Sequence, residues 1–415
     1  MVRVWPLTLR GTGAVLLGIL CFILAYEFTI TELLYVSALL LAVVAASVAT
    51  LYLVRRTERV TRVFIPDIAT AGQENIVRAR VEIRSPLPAA QGRWVDRLPD
   101  GITGTAAGAF PAMASAMGAG THAIDLEYAV VTERRGVRAI GPLSVTSTDP
   151  FGFARRRHTI GDTVPLTIAP AVIELGALTD LPGEAGGSMH STTDQLGQGT
   201  DNLIPRHYTP GDSMRRIHWR ATAHRDALMV RQEEQESTPS AVVVFDRSVH
   251  RWTPEAFRAP GTDPGFEMGV TACVSVVARL AREGYIVTVM DVDGTDLVPP
   301  VDAGDATGVD ELTVAFATVT ARRDVALEEL VRLFTGTQTG PLVLVTGRID
   351  DADTAILAPL AHHSTLPILL TVAPHEDSLA LSVDAGWHAA AIPPDADLAV
   401  AWLAALDRGS RRVGV

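Results

Sequence analysis

Ala241-Val-Val-Val-Phe-Asp-Arg-Ser-Val-His250 decides how the C-terminal half of this chain is read. Five apolar residues in a row, three of them β-branched valines, predict a strand buried on both faces rather than one that alternates between core and solvent. The same grammar repeats downstream. A helix is predicted over Phe266–Glu283, with Val270, Cys273, Val274, Val277, Leu280 and Ala281 on one side, and a strand over Tyr285–Met290. Helical patterns follow over Asp324–Phe334, Asp351–His362 and Ala396–Leu406, with strands over Pro341–Val345 and Leu366–Val372. Strands alternating with helices imply a mostly parallel sheet covered on both faces, expected here over residues 237–410. Ligands of such sheets gather at the carboxyl ends of the strands, where Asp246 stands.

The spacing after that strand resembles the first loop of a von Willebrand A type metal site, Asp-x-Ser-x-Ser. There, hard oxygen ligands hold Mg²⁺. Asp246 and Ser248 are the candidate ligands, and a divalent cation such as Mg²⁺ is the candidate cofactor. His250 stands at the third position, and imidazole suits softer metals better. Asp291, Asp293 and Thr346 also end strands, without completing an evident set. The alternative is a plain strand-end loop in which Asp246 hydrogen-bonds the turn.

Immediately upstream, Arg206–Glu236 concentrates six arginines (206, 215, 216, 220, 225, 231) and three histidines (207, 218, 224) in a chain of net charge −12. Thr209-Pro-Gly-Asp212 carries turn chemistry, and Asp212 is a good N-cap for a short helix beginning at Ser213. Met214, Ile217 and Ala221 recur at helical spacing and are expected to face a core, together with Trp219. Leu228-Met-Val230 reads as a short strand. One reading is a basic surface helix paired with the following glutamates. Tyr208 and Trp219 inside the arginine cluster favour a recognition surface, since guanidinium groups stack on aromatic faces and fork onto carboxylates. Histidines 207, 218 and 224 with Asp212 leave a hydrolase open, but there is no Gly-x-Ser-x-Gly elbow, His-Glu-x-x-His or phosphate loop.

The N-terminus is of another kind. Gly11–Tyr26 and Leu33–Val54 are apolar runs separated by a break holding Glu27 and Glu32, and they predict a transmembrane hairpin over residues 1–56. No small-residue cleavage site separates the runs, which argues against a signal peptide. Arg3 and Arg10 precede the hairpin and Arg55, Arg56, Arg59 and Arg62 follow it, so the positive-inside rule places both ends in the cytoplasm, with the protein in the cell (inner) membrane. Residues 57–170 alternate at period two around dense turn signals. Ile76, Val81 and Ile83 mark one expected strand, Ile124, Leu126 and Tyr128 another, and residues 101–120 read as a loop. A β-sandwich of immunoglobulin-like type is expected there, and residues 171–205 read as a linker. Cys21 and Cys273 are too few for a disulfide framework and are expected as buried thiols.

Tyr208, Pro210-Gly211-Asp212, Arg215-Arg216-Ile217, Trp219, Ala221-Thr-Ala223, Arg225, Leu228, Val230-Arg231 and Glu233-Glu234 together resemble the DUF58 family, bacterial proteins named only as a domain of unknown function. Arg135-Gly-Val-Arg-Ala-Ile-Gly-Pro-Leu143 and Asp149-Pro-Phe-Gly152 extend the likeness, while Ser213-Met214, His218 and His224 depart from it. The resemblance implies a membrane-anchored, non-enzymatic adaptor that partners a MoxR-type AAA+ ATPase or its client in chaperone-like maturation or envelope stress. Its docking surface would be the segment 206–236, with Tyr208, Gly211, Asp212, Arg215, Arg216, Trp219, Arg220, Arg225, Arg231 and Glu233 as the candidate binding residues. The bilayer is a further expected partner, with anionic lipid as an alternative ligand of the segment. The net acidity argues against nucleic acid.

Overall fold

The computed structural model describes residues 5–53, 57–84, 91–112, 122–178, 203–208, 214, 217, 219–225, 227–233 and 239–410. Two helices open the chain, α1 (Leu9–Phe28) and α2 (Thr31–Tyr52). At 1.5 Å per residue each is about 30 Å long, enough to cross a bilayer. Both are apolar along their length, with Leu16, Phe22, Ile23, Leu34 and Leu39 facing outward. Thr29, at a positive φ of 54°, turns the chain between them.

The contacts divide the chain into two units. The first comprises Met1–Ala171 with two segments from far downstream, Arg258–Thr262 and Thr313–Thr320. Its strands are β1 (Thr57–Ile65), β2 (Ile68–Thr70), β3 (Glu74–Arg84), β4 (Gly92–Asp96), β5 (Ile102–Gly104) and β6 (Ala107–Phe110). After them come β7 (His122–Thr132), β8 (Gly136–Ile140), β9 (Leu143–Thr148), β10 (Arg155–Ile160) and β11 (Val164–Ala169). They form two four-stranded antiparallel sheets, ordered β1-β3-β7-β5 and β10-β9-β4-β6, and a three-stranded sheet β2-β11-β8. Strict alternation builds the core: Val77, Ala79, Val81 and Ile83 of β3 join Leu126, Tyr128 and Val130 of β7, Trp94 of β4 and Val145 of β9. Ile76, expected inside with Val81 and Ile83, has the opposite parity and lies on the outer face. Of residues 101–120, expected as a loop, 102–110 carry β5 and β6 instead, and 113–120 lie outside the described residues.

An ion pair sits within that core. Arg62 forks onto Asp96 at 2.9 and 3.0 Å, both side chains being fully shielded from solvent, and donates to the Asp162 carbonyl at 2.8 Å. The Tyr128 hydroxyl donates to the same carboxylate at 2.7 Å. Burial, with the Asp96 charge beside it, pushes the Tyr128 phenol well above the usual range. Arg62, counted among the flanking charges of the hairpin, is thus an internal residue. Arg135, equally buried, donates to the carbonyls of Phe316 and Val319 at 2.6 Å each and so secures the downstream segment.

The second unit comprises Val172–Phe257, Asp263–Leu312 and Ala321–Val415. A ribbon of β12 (Leu203–His207) and β13 (Met229–Glu233), with the short helix α3 (Trp219–Arg225), precedes the main sheet. The sheet has five strands: β14 (Ser240–Phe245), β15 (Ile286–Met290), β16 (Thr339–Ile349), β17 (Ser364–Pro374) and β18 (His388–Ala391). Their order is β15-β14-β16-β17-β18 and every pair is parallel. The continuous apolar runs are the cause: Val243 and Phe245 face one side, Val244 the other, and all three are buried. On one face lies α5 (Pro264–Arg282), where Phe266 and Trp252 pack on Phe245 with ring centroids 5.2 and 6.1 Å away. On the other, α7 (Leu327–Phe334), α8 (Asp351–Leu357) and Trp387 pack over Val244, Leu342, Leu344 and Leu369. Asp263 caps α5 by accepting from the Gly265 and Phe266 amides at 2.8 and 3.2 Å. The remaining helices are α4 (Glu255–Arg258), α6 (Ala306–Phe316), α9 (Ser378–Asp384) and α10 (Leu398–Ser410).

Part of the expected linker is ordered as well. Val172–Leu178 belongs to the second unit: the Ile173 amide donates to Ser275 at 2.9 Å, and the Trp402 indole to the Gly176 carbonyl at 2.9 Å. Residues 179–202 lie outside the described residues. Cys273 is fully buried, and burial pushes its thiol far above the ordinary range, whereas Cys21 is half-buried in α1.

Candidate functional site

The sheet order 2-1-3-4-5, counted along the chain, reverses between β14 and β16, and the crevice at such a reversal is where open α/β sheets bind ligands. Asp246 follows β14 at that point and is wholly buried. Its Oδ1 accepts from the Ser248 amide at 2.9 Å, and its Oδ2 from the Thr346 hydroxyl, in β16, at 2.9 Å. The Arg251 guanidinium lies 2.8 Å from the same Oδ2. Arg251 also forks onto Asp353 of α8 at 2.7 and 2.9 Å and donates to the Arg348 carbonyl at 3.0 Å. Gly347 permits this, since a Cβ there would overlap the Arg251 carbonyl.

Ser248 is engaged elsewhere. Its hydroxyl accepts from the Val325 amide at 3.2 Å. His250 turns to Asp324, which accepts from its amide at 2.9 Å and from Nδ1 at 2.8 Å. So the loop brings Asp246 and Ser248 together and adds Thr346, but protein groups occupy the carboxylate and Arg251 supplies the positive charge. This donor set does not fit a hard divalent cation, which needs several free oxygens. No group of three or more His, Cys, Asp or Glu among the described residues is placed to hold a metal.

A second cluster crowns β15. Asp291, buried, lies 3.0 Å from Arg247 and 2.7 Å from Arg322, and Arg322 reaches Asp293 at 2.8 Å. Burial pushes the Asp291 carboxyl up, against the pull of the Val292 amide and the two guanidiniums. The hydrogen bond from Arg322 holds Asp293 far below the ordinary carboxylate range. Burial also pushes Asp353 up, but the Arg251 fork overrides it and leaves it low.

Depressed carboxylates contribute stability above their unfolded pKa near 3.9, and that contribution is lost as pH falls through the folded value; raised Asp291 acts in the opposite sense. Acid is therefore expected to weaken the second unit from about pH 4 downward. Urea titrations of the full chain across that window check this, with Asp293→Asn expected to flatten the slope. An unchanged slope refutes the assignment to Asp293.

The segment 206–236 is built on the ribbon. The Tyr208 amide donates to the Leu228 carbonyl at 2.8 Å, and the Met229 amide to the Thr222 hydroxyl at 3.0 Å, which ties α3 to β13. Ile217 is buried and bridges to Val230, so its backbone is extended. Of the short helix expected from Ser213, only Met214 is described, in a 3-10 turn; Ile217 is extended at its bridge, and α3 begins at Trp219. Met214 and Trp219, both expected in a core, are instead 66% and 69% exposed. Met229 and Val230 occupy the core beside Ile217. Tyr208 is half-buried, and His224 and Arg225 are exposed on α3. Arg220 lies in α3, and Arg231 and Glu233 in β13, by backbone position. Gly211, Asp212, Arg215, Arg216 and His218 lie outside the described residues, and His207 is placed only as a strand residue.

Sequence reasoning singled out Asp246 and Ser248 from their spacing and missed Arg251, Arg247, Arg322 and Asp353. No local pattern flags those four, whose partners lie up to 102 residues away.

Residues 205–379 match the family model described as "Protein of unknown function DUF58". No curated protein matches the chain. Among solved structures, a late embryogenesis abundant (LEA) protein is similar at 14% identity, over 27% of this chain and 71% of that one, with a TM-score of 0.20. A cohesin module from a Clostridium perfringens family 33 glycoside hydrolase is similar at 10% identity, over 28% and 98%, with a TM-score of 0.17. Likenesses of that size assign neither fold nor activity.

Proposed function

Since the chain belongs to the DUF58 family through residues 205–379, and that family's function is unknown, we propose a role drawn from its own residues: a membrane-anchored cytoplasmic adaptor. Its partner would be a MoxR-type AAA+ ATPase or that ATPase's client, engaged through the segment 206–236. The observation that carries this reading is Trp219, 69% exposed on a short helix that also presents Arg225. Tryptophan and arginine are the residues that dominate protein–protein hot spots, and an exposed indole has no role in the unit's own core. At the strand-end crevice, Arg251, Ser248 and Thr346 already engage the Asp246 carboxylate, which leaves recognition to the exposed segment upstream.

The α/β unit is, on this reading, a von Willebrand A-like domain in which an arginine has replaced the metal. The β-unit is an immunoglobulin-like spacer. On this reading the remaining arginines beside the hairpin (3, 10, 55, 56 and 59) favour a cytoplasmic location for both of its ends, under the inner membrane.

A pull-down with the detergent-solubilised full chain and a MoxR-type ATPase is the test. Trp219→Ala is expected to weaken capture about 30-fold, the effect of a ~2 kcal/mol hot spot. Capture unchanged by Trp219→Ala together with Arg216→Ala removes the segment from the mechanism.

A further inference from the structure

The open end of the hairpin is welded to the β-unit. The Thr8 amide donates to the Phe153 carbonyl at 2.9 Å, and its hydroxyl to the Gly152 carbonyl at 2.5 Å. Leu7 bridges to Ala154, and the Arg155 amide donates to the Pro6 carbonyl at 2.8 Å. At the end of α2, Arg156 donates to the Leu51 carbonyl at 2.7 Å and stacks over the Tyr52 ring at 5.6 Å. It thereby satisfies a terminal carbonyl and complements the helix dipole. Gly11, in the first turn of α1, is pressed so closely on the Phe153 carbonyl that a Cβ would overlap it.

This fixes the depth of the turn 149–154. The buried Asp149 holds it by accepting from the Phe151 and Ala154 amides at 2.9 and 2.6 Å. The turn lies level with the start of the apolar span. Phe151, at its tip, is 63% exposed, and the Arg10 guanidinium lies beside Gly152. Arg155, next in line, is exposed on the outer face of β10. Aromatic rings and arginines at that level have the composition of a bilayer interface, and Trp5 and Tyr52 share it.

We infer that this turn is a second contact with the bilayer: Phe151 enters the headgroup region while Arg10 and Arg155 hold anionic phospholipid headgroups. The inference rests on the hairpin spanning the membrane. It adds that the β-unit is seated on the membrane surface at a fixed orientation.

The test uses the full chain carrying Phe151→Cys and Cys21→Ala, labelled with bimane at position 151. It is reconstituted into vesicles of phosphatidylcholine alone or mixed with phosphatidylglycerol. Lipid-borne bromine is expected to quench the probe, more strongly with phosphatidylglycerol. Arg10→Gln with Arg155→Gln is expected to abolish the difference, each arginine being worth roughly fivefold in affinity for an anionic surface. A probe open to aqueous iodide in both vesicles, in a chain that resists carbonate extraction, overturns the seating and leaves the anchor standing. Shielding from iodide and bromine alike means that protein covers the turn, which also overturns the inference. Release by carbonate removes the anchor, and the seating with it.

Discussion

Asp96→Ala is expected to destabilise the β-unit by about 3–5 kcal/mol, the cost of stranding one member of a buried ion pair. The substitution leaves the Arg62 guanidinium in the core with only the Asp162 carbonyl, and leaves the Tyr128 hydroxyl without its acceptor. A loss of that size is a large fraction of the ~5–15 kcal/mol by which domains are stable, so the urea midpoint of the unit is expected to fall sharply. The remedy separates charge from packing. Arg62→Met with Asp96→Leu removes both ions and is expected to recover most of the loss, because a buried pair and an apolar replacement of similar volume are often near balance. Urea unfolding of the detergent-solubilised full chain, with hydrogen exchange read at the amides of β3 and β7, checks both variants. A single substitution costing less than ~1 kcal/mol, as surface pairs do, would mean that water reaches the pair.

Arg251→Met is the second large effect, expected at about 3–5 kcal/mol in the α/β unit for the same reason with the sign reversed. It strands the fully buried Asp246 with two neutral donors, the Ser248 amide and the Thr346 hydroxyl. It also frees Asp353, on the first turn of α8, from its fork. Arg251→Lys keeps the charge and is expected to fall between, since one ammonium cannot span two carboxylates as a planar fork does. Adding Asp246→Asn to Arg251→Met is expected to recover a substantial part. Hydrogen exchange at β14 and β16 reports the order of the four proteins. Equal stability of Arg251→Met and the unsubstituted chain would refute the account of Arg251 as the charge that the strand end requires.

The apolar runs of β14, β16 and β17 were legible because a strand buried on both faces leaves a signature that needs no partner to be seen. The strands that escaped notice lack it. His388-Ala-Ala-Ala391 has no β-branched residue, and Leu203–His207 contains a proline and two basic residues, yet both pair in sheets. Their strand character comes from neighbours rather than from propensity. Met214 is exposed rather than in a core because its helical spacing with Ile217 does not hold, and the bridge from Ile217 to Val230 is a pairing that local spacing does not reveal. The ionic interior was illegible for a related reason. Arg62 and Asp96 are 34 residues apart and Arg251 and Asp353 are 102 apart, so each looks like an ordinary surface charge until the fold joins them.

The β-unit is not finished by its own stretch of chain. Its last pieces are residues 258–262 and 313–320, and Arg135 waits for the carbonyls of Phe316 and Val319. On the ribosome, the hairpin and eleven strands are made first, but the guanidinium of Arg135 has no carbonyl of that segment to bind until some 180 further residues have been synthesised. The unit that begins the chain is therefore completed by segments that are translated much later.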